Sequence, residues 1–114
     1  MTMTMKIVLA AFTVTAAVAL ARPAAAQDVK KGQDVYTAQK CSLCHQVAGK
    51  GNKTNPLDGV GAKLSAAEIR QWITNPTEMT AKTKSTKKPP MPNKYASLPA
   101  GDLDSLVAYL ASLK

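Results

Sequence analysis

At 114 residues the chain suffices for one small domain, and its 15 basic against 7 acidic residues give a formal net charge of +8. Two cysteines and a single histidine fall short of the four ligands that a structural zinc site needs. So strong a basic excess would suit nucleic acid in a cytoplasmic protein, but the N-terminal segment argues for export and against that partner.

Lys6 opens that segment, a weakly apolar run follows from Ile7 to Ala21, and Arg22-Pro23-Ala24-Ala25-Ala26 closes it. A basic start, an apolar middle and a small-residue end form the pattern of a secretory leader, here cleaved before Gln27. The apolar run is shorter than the roughly 20 residues a membrane-spanning helix needs, and it is rich in alanine and threonine. Residues 1–26 are therefore expected to be a removed signal peptide. Residues 27–114 are expected to be one periplasmic domain with no stable membrane insertion. Cleavage takes Lys6 and Arg22 away and leaves the domain with a net charge of +6. A domain this small commonly needs a metal, disulfides or some other staple to hold its core.

Asp28 to about Lys40 is predicted to be a helix. Val29, Gly32 and Tyr36 recur at i, i+3 and i+7, and Asp28 stands where the helix dipole favours an acid. The helix leads directly into Cys41-Ser42-Leu43-Cys44-His45. C-x-x-C-H is the attachment signature of c-type haem. Two thiols one turn apart can each bond a vinyl group of the same porphyrin, and the adjoining imidazole can ligate its iron. Cys41 and Cys44 are thus assigned to one covalently held haem, and His45, the sole histidine, to its iron. A disulfide between the two cysteines would close too small a loop to stabilise much. A thioredoxin-like motif needs a βαβ setting, and no convincing strand is visible in this sequence.

From Val47 to Gly61 the chain is rich in Gly, Lys and Asn without periodicity and reads as a loop. Ser65-Ala66-Ala67-Glu68 is a capping-box pattern, after which Ile69, Trp72 and Ile73 mark one apolar helix face up to Asn75-Pro76. Thr77 to Ser97 reads as a long irregular stretch, basic at Lys82, Lys84, Lys87, Lys88 and Lys94, with Pro89, Pro90 and Pro92 around Met91. Leu103, Leu106, Val107, Leu110 and Leu113 predict a last amphipathic helix beginning near Ala100, with Asp102 and Asp104 at its start. The fold class is all-α, about three main helices wrapped around the haem.

A haem iron with one histidine has a sixth position to fill. Met1, Met3 and Met5 leave with the leader, so Met79 and Met91 are the available thioethers. Met91 lies between two residues of fixed φ in a polar loop, where a core-filling methionine has no place. It is favoured as the second axial ligand, with Met79 or an open site as the alternatives.

With these residues in order along 28–114, the chain resembles a small bacterial cytochrome c of the monohaem, histidine–methionine type. The resemblance implies that Gly32 and Tyr36 cross Leu106 and Tyr109 where the terminal helices meet. It implies that Pro56, in Asn55-Pro56-Leu57, offers a carbonyl to the His45 ring N–H. Trp72 would pack near a haem propionate, and Pro90-Met91-Pro92 would be the ligand loop. Pro99 departs from the family by standing where a serine or threonine often caps the last helix. The basic tract before Met91 is longer than the loops of the smallest members.

The function implied is that of a soluble periplasmic electron carrier and not an enzyme. Its partners would be other redox proteins with acidic docking patches, met by a monomer steered through its lysines. The alternatives are an electron-accepting haem subunit of a dehydrogenase or oxidase complex, and a ligand-binding or peroxidase-like haem protein.

Overall fold

The computed structural model describes residues 24–114, and the expected leader lies outside them except for its last three residues. Helix α1 spans Ala24–Ala38, a two-strand hairpin follows in β1 (Gln46–Val47) and β2 (Lys50–Gly51), and α2 is a single turn at Val60–Lys63. Then come α3 (Ala66–Thr74), α4 (Pro76–Thr83) and α5 (Ala100–Ala111). Short 3-10 turns occupy Cys41–Leu43 and Asn93–Ser97.

The seam between α1 and α5 is the most extensive contact between elements. Leu103, Leu106, Val107 and Leu110 turn inward from α5 and meet Val35 and Tyr36 of α1, with Ile69 and Ile73 of α3 completing the core. Each fully buried aliphatic side chain stabilises by about 1.5–3 kcal/mol, against about 0.2–1 kcal/mol for an exposed ion pair. The seam therefore outweighs the surface pairs that decorate it, Lys31–Asp102 at 3.5 Å between α1 and α5 and Arg70–Asp104 at 2.5 Å between α3 and α5. The helices approach this closely because residue 32 has no side chain: a Cβ on Gly32 would overlap the carbonyl of Ser105 and come within 2.6 Å of Tyr109 Cβ. Beside that contact the Tyr36 and Tyr109 rings meet edge to face, centroids 5.6 Å apart. The Tyr36 hydroxyl is buried there without a hydrogen-bond partner among the described residues, and burial pushes its pKa up to about 12.

The capping box forms as expected. Glu68 N–H donates to Ser65 Oγ at 3.2 Å, and Ser65 N–H donates to Glu68 Oε1 at 3.1 Å. The Ser65 amide, and after it the Ser65 hydroxyl, hold the Glu68 carboxyl below its usual pKa. The last helix starts at Ala100 without a side-chain cap. Pro99 supplies its carbonyl to the amide of Leu103 at 2.9 Å, so the missing serine or threonine changes the cap and not the boundary.

Two segments differ from expectation. Thr77–Ser97 is not irregular throughout, because Pro76 opens α4 as well as following α3. At the first position of a helix proline loses nothing by lacking an N–H. Val47–Gly61 holds a hairpin in place of plain loop. Its turn puts Ala48 at φ 52 and Gly49 at φ 78, the left-handed pair that a two-residue hairpin requires.

Candidate functional site

Helix α1 is stopped by Lys40, whose φ of 56 turns the chain out of the helix and into the Cys41–Leu43 turn. The carbonyl of Cys41 then accepts from the amides of both Cys44 and His45, at 3.1 and 3.0 Å. Three residues per turn stack position i over i+3, so Cys41 and Cys44 fall one turn apart on neighbouring levels. Both thiols are free, Cys41 half-buried and Cys44 exposed. Burial, reinforced by the nearby Cys44, pushes the Cys41 thiol up to about 11, against the opposing pull of its backbone hydrogen bond and of Lys94. Leu43, between the cysteines, is 70% exposed, so the turn directs its apolar side chain outward.

His45 is half-buried, and its Nδ1 lies 3.1 Å from the carbonyl oxygen of Asn55. With the ring N–H donating there, Nε2 keeps its lone pair for a metal. Burial lowers the imidazole pKa against the opposing effect of that bond, which favours the neutral, ligating form.

The acceptor is Asn55 and not Pro56, and the reason is backbone pairing. Gln46 pairs in parallel with Pro56: its amide donates to Asn55 at 3.2 Å and its carbonyl accepts from Leu57 at 2.8 Å. Successive carbonyls of an extended segment point to opposite sides. The register that gives Asn55 to the His45 side therefore turns the next carbonyl away.

Asn52, which the sequence reading passed over, holds the rest of the motif. Its amide lies 3.0 Å from the carbonyl of His45 and 3.1 Å from that of Ser42, and its side-chain amide donates to Leu43 at 3.1 Å. Gly51 makes this possible. Its φ is 104, and a Cβ there would overlap the His45 carbonyl. The Gly-Asn-Lys-Thr-Asn run signals a turn in sequence, but nothing local shows which backbone it serves.

Met91 is half-buried and packs on the same core that Cys41 borders. Met79 sits inside α4 at 6% exposure, as a core residue. Trp72 is half-buried on α3 between Ile69 and Ile73. Lys82, Lys84, Lys87, Lys88 and Lys94 are all exposed.

Among the described residues, no cluster of three or more His, Cys, Asp and Glu side chains could hold a bare metal ion. Two free thiols, an oriented neutral imidazole and a thioether at the core edge fit a haem instead, whose macrocycle supplies the iron's other four ligands. A family model, Cytochrome c, matches residues 29–114. Comparisons with curated proteins and with solved structures gave no match. The chain belongs to the cytochrome c family, whose members hold haem covalently and carry electrons, and its all-α fold is the family's.

Proposed function

We propose that this protein is a soluble, monomeric periplasmic electron carrier with one haem bonded to Cys41 and Cys44 and ligated by His45 and Met91. The observation that carries the reading is the His45–Asn55 hydrogen bond. It fixes the tautomer and the ring plane, and it makes the imidazole a firmer donor. When bound, the haem would supply a reversible ferric/ferrous couple, and a thioether among its ligands would favour the ferrous state.

The protein's residues would do the remainder. Cys41 and Cys44 would tether the haem, His45 and Met91 would hold its iron, and the buried Ile69 and Ile73 of α3 would add apolar surface to the surrounding core. Trp72 is assigned to the haem's edge. No acid, base or nucleophile is called for, since an electron carrier moves no atoms. The exposed lysines on either side of Met91 would steer the domain to acidic surfaces of redox partners, raising the encounter rate more than the affinity. No helix among the described residues is long and apolar enough to cross a membrane.

The test is an optical spectrum of the exported holoprotein. A weak absorption band at the red end of the ferric spectrum marks methionine–iron bonding, and Met91→Ala should abolish it while Met79→Leu keeps it. A band that survives in Met91→Ala assigns the ligand elsewhere. Electron transfer to an acidic partner should also slow steeply as salt rises, because the Debye length shrinks from about 10 Å at 0.1 M to about 3 Å at 1 M. A flat salt profile would remove the steering role.

A further inference from the structure

Residues 86–92, which carry Met91, take part in no backbone-to-backbone hydrogen bond among the described residues. Three of the seven are prolines and have no N–H to offer. The chain leaves α4 through Lys84, whose φ is 53, and Ser85 N–H turns back to the Thr80 carbonyl at 3.1 Å. At the other end Asn93 is tied to Thr77 at the start of α4 by a reciprocal pair of side-chain hydrogen bonds, 2.9 and 3.1 Å long. Between these anchors one long-range hydrogen bond leaves the loop among the described residues: Lys87 Nζ donates to the backbone carbonyl of Thr54 at 3.4 Å. Thr54 immediately precedes Asn55, the residue that orients His45.

We propose that Lys87 is a positioning residue, a strap from the loop bearing Met91 to the loop bearing Asn55, which sets how readily Met91 leaves its place. The inference rests on the His45/Met91 reading above. Among the basic residues near the loop, Lys87 is the one whose ammonium reaches the His45 side; Lys94 instead stands over the Tyr95 ring, 5.2 Å from its centroid. The acceptor is main chain, so a change of side chain at position 54 leaves the strap intact, and position 87 is where it can be cut. Lys87 is thereby distinguished from its neighbours by geometry, since all of them share its charge.

The test uses the intact haem-loaded ferric protein and imidazole, a ligand that binds iron only when the methionine has moved off. Lys87→Gln is too short to reach Thr54 and should bind imidazole roughly three- to fivefold more tightly than the unaltered protein. Lys82→Gln removes the same charge from an exposed position of α4 and should stay within about twofold. Lys87→Arg, long enough to reach the carbonyl, should restore most of the resistance. Equal imidazole affinity in Lys87→Gln and Lys82→Gln would overturn the strap. A missing red-end band in the unaltered protein, seen before any imidazole is added, would overturn methionine ligation itself and the strap with it.

Discussion

The two sides of the proposed haem site are built from different materials. On the His45 side the main chain does the holding. The residue's amide, its carbonyl and its ring each engage another backbone group, through Cys41, Asn52 and Asn55. On the Met91 side residues 86–92 have no such bonds among the described residues, and the loop is secured by three stiff prolines and by the side chains of Lys87 and Asn93. Backbone bonds survive most substitutions, whereas side-chain ties can be cut one at a time. The first side is thus fixed by conformation and the second is adjustable by residue choice. Potential and ligand lability would be tuned at the methionine loop, with the histidine as the constant.

The largest expected effect tests the rigid side. Gly51→Ala must place a Cβ against the His45 carbonyl at a φ of 104. It should destabilise the holoprotein by about 2–4 kcal/mol, read from the shift in denaturant midpoint. A loss below about 1 kcal/mol would mean that the hairpin can yield, and the contrast would weaken. Next, Asn52→Ala keeps the backbone bonds but removes the side-chain bond to Leu43 and the acceptor that Thr54 N–H uses at 2.9 Å. Its cost should be about 1 kcal/mol by the same measurement, with the red-end band unchanged. Smallest in stability is Asn93→Ala on the adjustable side, at or below about 1 kcal/mol because the pair with Thr77 is exposed. Its signature should be spectroscopic, a red-end band that fades at lower temperature. If Asn93→Ala instead cost more stability than Gly51→Ala, the assignment of rigid and adjustable sides would be reversed.

The three longer helices that matter most to the core were legible from sequence because each carries its own instructions. Periodic apolar residues and the Ser65–Glu68 box are local signals, and local signals decide local structure. The motif Cys41–His45 was legible for the same reason. The hairpin was not, since Ala48 adopts a left-handed conformation that alanine does not favour and that its contacts impose, including its amide's bond to Asp58 Oδ1 at 2.8 Å. Helix α4 was hidden by Pro76, which a reader takes as a stop although it serves equally as a start. The one-residue displacement from Pro56 to Asn55 has a similar origin. Which carbonyl faces His45 depends on pairing with Gln46, a non-local choice of register that no residue type announces. Asn52 belongs to this class too, because its partners lie before it in the chain across a turn.

The bare backbone at Gly32 has a consequence for when the protein can exist at all. The seam it permits joins α1 to α5, so the segment enclosed between Gly32 and Ser105 contains the haem motif, the Asn55 loop and Met91. Closing so long a segment is the slow, entropically costly kind of contact. Helix α5 is also synthesised after every other element named here, so the ring closes only once all of them have been made. Late closure leaves the haem motif and the Met91 loop accessible until the terminal helices meet, which suits a domain that takes up its cofactor before it closes.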